Sequence, residues 1–574
     1  SGSLLTQDDG EGTTISLAAA QGGITGNLDG GRLSVNGESG EGTTIRFDVN
    51  QTGSGTPTES GKVAEAVYGY GFAVTGEAGS AQNFDISYSL EGVDIEQNKT
   101  LVLAGANDDS TAAANTLSVY LTGEGGLRAA DGAVRLEETD RGSDYSGATT
   151  VSAGAALYAE AGTLGSENRH TAQLLVEGGA SARIEGSNAT GGLLVQKQGS
   201  ANGILAIGST DIAAPASDVV LTLVSSVDGK TYAGNRIDGL LLGNGTLAVL
   251  GNGQVDEGVE PDLTISGSQD GFYGNMTLGN GAWVHIDANS SNLFGNSTAL
   301  NDVTVNAGSK LSIESDMRSD SSFLGVFRDG EEGGGTVEIS LAEAGNHFRF
   351  AAAQTGEHFS GDFVLNRGTI DFDQLFATSD ASDDDVLENA TLVLNADGSL
   401  VLGTAADAAG SGVRLGGLTL AGGTIDAGAL GYQEHAGASA THIDLDGDGV
   451  LKLEAAESGA DASRVVLGAA DDAVGISGSG SEILAAGSTG ASVVLVEGIG
   501  SLELVDGGQS QTLAADADIG SEYLTAELPT AGAAQQIEQS IVVDGAAQTA
   551  LVAEAVRHFS NGFAYSHADK TLSA

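Results

Sequence analysis

The sequence predicts an all-β fold, a long right-handed parallel β-helix with loop excursions and a C-terminal cap. Three observations carry that expectation. A unit of aromatic, glycine, aliphatic and glycine recurs, as Tyr145-Gly147-Val151-Gly154, Phe272-Gly274-Leu278-Gly281 and Phe359-Gly361-Leu365-Gly368. Each copy reads as strand, glycine turn, strand, with apolar residues alternating as in a half-buried strand. The chain is 574 residues long, carries 89 glycines and four prolines, and shows little sign of any other element. Glycine turns also join the strands of sandwiches and barrel arrays, but length and this monotony favour a solenoid. A short alternating strand cannot bury its face alone, whereas stacking many in parallel buries a continuous core. The glycines supply a positive φ at a corner or let coils approach closely. The aromatic packs on its neighbour in the next coil. With roughly 20–25 residues per coil, about two dozen coils are expected at the ~4.8 Å strand spacing.

Taken in order, residues 1–140 form an N-terminal solenoid portion without the aromatic-glycine unit. G-E-G-T-T-I occurs at Gly10–Ile15 and again at Gly40–Ile45, and Tyr68-Gly69-Tyr70-Gly71-Phe72 sets aromatics between glycines. That cluster reads as solenoid packing or, alternatively, as an exposed aromatic platform. Residues 141–510 carry the repeat, with worn copies at Val176-Gly179, Leu242-Gly245-Leu247, Val305-Gly308-Leu311 and Gly416-Leu420-Gly423-Ile425. Asp380, Asp383, Asp384 and Asp385 mark an acidic loop thrown out from a corner. Residues 511–574 are a cap or linker region, in which Leu551, Ala555 and Val556 suit a short amphipathic helix over 547–558. A solenoid needs such a cap because its last coil exposes a sheet edge.

Composition narrows the function classes. Lys and Arg total 22 against 78 Asp and Glu, a formal net charge of −56, while charged residues make up only 17% against a typical ~25%. The acidity therefore reflects missing cations. Such a surface repels nucleic acid and anionic headgroups and favours divalent cations and basic partners. Cysteine is absent, so stability comes from burial without disulfides. No apolar run reaches the ~18 residues of a membrane helix.

The run Y-S-G-A-T-T-V-S-A-G-A-A-L from Tyr145, with F-S-G-D-F-V-L-N-R-G-T-I from Phe359, resembles the passenger-associated repeat of autotransporters, secreted proteins of Gram-negative bacteria. The strong match covers about thirteen residues in each of three copies, and the weaker pattern extends over much of Val151–Leu502. The resemblance implies an extracellular, cell-surface passenger, a full-length protein with an outer-membrane barrel, and a cysteine-poor chain that crosses the membrane unfolded. It also implies an adhesin. The expected partners are a host surface or matrix protein or glycan, or the same passenger on another cell. The alternatives are a β-helix polysaccharide-degrading enzyme and a passive stalk.

Candidate sites are few. Asp444, Asp446 and Asp448 occupy positions one, three and five of an EF-hand-like run, with Gly449 at six and Leu451 at eight. Position twelve, which needs a bidentate Glu, is Ala455, and Glu454 stands beside it. Asp444, Asp446, Asp448 and Glu454 are thus the residues of a weak calcium site, set against an acidic β-turn. No catalytic set emerges. Gly475-Ile476-Ser477-Gly478-Ser479 misses G-x-S-x-G at its last position, and the eight histidines form no H-E-x-x-H motif. The chain is read as a non-enzyme without a bound organic cofactor.

Overall fold

The structure, a computed structural model, describes strands between Thr13 and Ser573 and side chains over most of 46–423. Every regular element among the described residues is a β-strand. Parallel sheets stack as a β-solenoid of about nine turns. The chain divides into two compact units, Ser1–Gly191 and Gly192–Ala574.

The first unit begins antiparallel. Thr13–Ala18, Gly23–Asp29, Arg32–Val35 and Glu38–Ser39 form one meander. Thr44–Thr52, Ser60–Thr75 and Asn83–Ile95 form a second, so the aromatic-glycine run at 68–72 is the middle of a strand. Tyr120–Gly123 then adds to Asn83–Ile95 in parallel, and coiling starts. Gly126–Leu136 pairs in parallel with both Thr149–Val151 and Ala155–Ala159. These pair onward with Leu174–Val176 and Ser181–Ile184. Alternation sets what faces in: Ala129, Val151 and Val176 align, as do Leu136, Ala159 and Ile184, and all are buried.

In the second unit the broad sheet follows the same rule over more coils. Leu263, Val284, Leu311, Val337, Phe363, Leu392 and Leu418 lie in register, one per strand, and Ile265, Ile286, Ile313, Ile339, Leu365, Leu394 and Leu420 form a second inward row. All fourteen are buried, and each such side chain contributes roughly 1.5–3 kcal/mol by leaving water. A companion sheet of Val220–Val224, Thr246–Leu250, Asn275–Gly279, Asp302–Val305 and Val326–Asp329 supplies Leu221, Leu247, Met276, Val303 and Phe327 to the same core. The steps from Leu263 to Val284, Leu311, Val337 and Phe363 give about 21–27 residues per turn, close to the expected ~20–25.

The number of turns falls below the expected two dozen because the chain spends residues elsewhere. Strands 13–95 are antiparallel. So is the C-terminal stretch, where Ser492–Asp506 pairs with Gln509–Ala514 and Glu522–Glu527, and Gln539–Val542, Ala564–Ser566 and Thr571–Ser573 continue the meander. The acidic loop at 380–385 and the proposed helix at 547–558 lie outside the described residues.

The two glycines of the repeat do different work. The first sits where coils touch. A Cβ on Gly147 would lie 2.3 Å from the Gly125 backbone, one on Gly274 1.8 Å from the Gly245 carbonyl, and one on Gly361 2.0 Å from the Gly335 carbonyl. No side chain fits there without moving a coil. The second turns the corner at positive φ, at Gly154 (86°), Gly281 (66°) and Gly368 (130°), a conformation costly for residues with a Cβ. The repeat's aromatics face inward as expected: Tyr145, Phe272 and Phe359 are fully or almost fully buried.

Candidate functional site

Because alternate residues of a strand point to opposite faces, the rows between the buried aliphatics of the broad sheet must face outward. Gly281-Ala282-Trp283-Val284-His285-Ile286-Asp287 and Gly308-Ser309-Lys310-Leu311-Ser312-Ile313-Glu314 are successive strands with the same alternation. Register sets Trp283 beside Lys310, His285 beside Ser312 and Asp287 beside Glu314. The next strand brings Thr336, Glu338 and Ser340 alongside.

These side chains form one bonded strip. The Lys310 ammonium lies 4.9 Å from the centre of the Trp283 ring and pairs with Glu338. Trp283 Nε1 donates to Ser312 Oγ at 2.8 Å, and Ser312 Oγ lies 2.9 Å from His285 Nδ1. His285 Nε2 is 3.0 Å from Asp287 Oδ1. Asn366 Nδ2 donates to Glu338, and Asn395 Nδ2 donates to Asn366 Oδ1 at 2.5 Å, carrying the strip two coils further. Beneath it, buried Asp262 accepts the Trp283 backbone N–H at 2.9 Å and the Ser225 hydroxyl at 2.6 Å. The tryptophan is thus anchored through its main chain, its indole N–H and its ring face.

The line Ser312, His285, Asp287 has the order of a nucleophile, base and carboxylate. Its setting differs from that of a nucleophile. Ser312 is only 8% exposed, its Oγ receives the Trp283 indole N–H, and its strand pairs on both sides, which commits the neighbouring backbone N–H groups that would stabilise an oxyanion. The serine positions the imidazole.

The first unit has an outward ladder of its own. Arg135, Tyr158 and Arg183 are in register, and the two guanidinium groups lie 5.6 and 5.7 Å from the tyrosine ring centre. Arg135 also pairs with Glu160 and, at 2.7 Å, with Glu185. Burial opposes its charge, but Glu185 and Glu160 outweigh burial and raise its pKa. The same unit also holds an internal polar chain. The Tyr145 hydroxyl bonds Thr149 Oγ1 at 2.5 Å, Thr149 Oγ1 bonds Thr171 Oγ1 at 3.0 Å, and Thr171 donates to the Gly147 carbonyl at 2.6 Å. Asparagines brace corners: Asn188 accepts the Leu164 N–H and donates to the Glu160 and Gly186 carbonyls, each at 2.8 Å.

The sequence-derived calcium residues fall elsewhere. Asp444, Asp446, Asp448 and Glu454 lie in the strand Ile443–Glu454, whose register with both neighbouring strands shifts between 444 and 450. Their side chains are outside the described residues. The Trp283–Asn395 strip was missed from the sequence although its signal was there, in two consecutive glycine-led segments with polar residues at matching alternate positions. No family model matches the chain, and neither a curated protein nor a solved structure matches it.

Proposed function

We propose that this chain is a surface-displayed adhesive passenger of the autotransporter type, which binds a matrix or host glycan or protein, or a second copy of itself, without chemical turnover. The observation that carries this reading is the outward strip from Trp283 through Lys310 and Glu338 to Asn366 and Asn395. It presents a ring face, an ammonium, a carboxylate and amides on successive parallel strands. A rigid row of that kind meets a repeating ligand with a repeating contact, so weak contacts add by avidity. The resemblance of the Tyr145 and Phe359 repeats to passenger repeats supports the cell-surface assignment.

The test is display of the chain on a heterologous outer membrane, with cell settling and binding to glycan and matrix arrays measured from ~0.01 to 0.5 M salt. Adhesion is expected, and it should fall for Trp283→Ala and Asn366→Ala. Self-association between two acidic surfaces should strengthen as salt screens their repulsion, whereas capture of a basic partner should weaken. Adhesion that neither variant alters, or degradation of a polysaccharide by the purified chain, overturns the reading.

A further inference from the structure

We propose that His285, Asp287 and Glu314 form a binding site for a divalent transition-metal ion such as Zn²⁺. The inference is independent of the adhesive reading. The imidazole and two carboxylates offer ligand atoms that all lie within 4.8 Å of one another, and they project from two paired strands, a rigid mounting for a ligand set. Zn–N and Zn–O bonds of ~2.0–2.2 Å place ligands roughly 3–4 Å apart, which the two exposed carboxylates reach by small side-chain rotations.

Two further features point to a cation. Asp287 and Glu314 are directly opposite one another across the strand pair, and like charges so placed destabilise a sheet. The nearby ammonium does not relieve them, because Lys310 is engaged by Glu338 and the Trp283 ring; among the described residues, neither carboxylate is paired with Lys or Arg. The imidazole is also held as a metal-ligating histidine is held. Ser312 Oγ, itself located by the Trp283 indole, contacts Nδ1. Nε2 is left facing the Asp287 carboxylate, and support of this kind at the other ring nitrogen orients metal ligands. One imidazole with two carboxylates selects borderline ions over Ca²⁺, which takes six to eight oxygens. Three protein ligands leave a fourth position for water or for a donor group of a bound partner.

The experiment is calorimetric titration of chelator-stripped full chain with Zn²⁺ at ~0.15 M salt, where diffuse attraction to the acidic surface is screened. The visible spectrum of the Co²⁺ form serves as a second readout. One saturable site is expected whose affinity falls at least tenfold in His285→Ala and in Glu314→Gln. Ser312→Ala, which keeps all three ligands, should lose about tenfold through misorientation of the ring. Asp238→Asn, a carboxylate of the same unit paired with Arg236, should bind as the parent does. Tenfold excess Ca²⁺ should not displace the ion. Equal Zn²⁺ uptake by parent, His285→Ala and Glu314→Gln would show diffuse surface binding only and overturn the proposal. So would an imidazolium signal from His285 at neutral pH that zinc leaves unchanged, since a protonated ring would then be the cation between the carboxylates.

Discussion

Tyr145 and Phe359 stand at the same place in the same repeat, two residues before a glycine that touches the adjacent coil, yet the two regions solve burial differently. Around Phe359 the core is aromatic and buried. Phe327 lies 6.1 Å from Phe359 and 6.1 Å from Phe363, stacks on Phe323 at 4.0 Å, and Phe348 lies 5.8 Å from Phe363. Around Tyr145 the same inward position brings a hydroxyl inside, and the neighbouring strands supply threonines to receive it. A buried hydroxyl without a partner costs about 1–3 kcal/mol. The aromatic can therefore change only together with residues of the same and the next coil. The repeat prescribes a backbone path and a ring-shaped space; what lines that space is settled locally.

The largest effect should come from emptying the aromatic region. Phe327→Ala removes the ring shared by Phe323, Phe359 and Phe363 and should cost about 3–5 kcal/mol. Hydrogen exchange should show the loss concentrated in strands 326–329 and 362–371, because a solenoid can fray locally. Uniform loss across the chain would mean that the coils do not behave as nearest-neighbour units.

The glycine contact should prove common to both regions. Gly147→Ala and Gly361→Ala each drive a methyl into the backbone of the preceding coil and should each cost about 3 kcal/mol, read as matched drops in denaturation midpoint. If one site tolerates alanine, the two coils are not equally close.

Alkaline pH should separate the regions. Burial pushes the Tyr145 hydroxyl up to about 12, with the Thr149 and Thr171 hydroxyls acting the other way. Below pH ~10 the tyrosine keeps its proton folded or unfolded. Between about 10 and 12 the unfolded form ionises first, so stability falls as pH rises, and the loss saturates near about 3 kcal/mol. Tyr145→Phe should abolish this component while costing about 1 kcal/mol at neutral pH. The difference between parent and variant melting curves from pH 9 to ~12 isolates it from the chain's other tyrosines. The smallest effect should be on the outer surface. Asn366→Ala removes half-buried hydrogen bonds to Glu338 and Asn395 and should cost about 1 kcal/mol, too little to unfold the coil, so that any loss of adhesion reports binding.

Much of this was legible in the chain. The aromatic-glycine unit located buried rings and coil contacts, since both follow from residue types at set spacings. Alternation in W-V-H-I-D and K-L-S-I-E told which residues face inward. It did not tell that Trp283 meets Lys310 or that Asp287 meets Glu314, because turns of about 21–27 residues make register depend on excursion length, which local pattern does not encode. The antiparallel strands at 13–95 were equally hidden: Thr44–Thr52 alternates as a parallel strand would, and direction is decided by the turn at its end.

The regular step between partners also bears on how such a chain acquires its structure. Each strand of the broad sheet from 263 to 371 finds its partner one turn away along the sequence. The loop that must close to add a coil is therefore the same size wherever on this sheet it is added, and its entropic cost does not grow with the length already folded. A finished coil offers the next segment a complete row of backbone partners and a groove for two aliphatic side chains, so ordering can spread by accretion from any established coil. The slow event is then the first coil, which has no such surface to land on, and the rate of structure formation in this region should depend on how well that one nucleus holds.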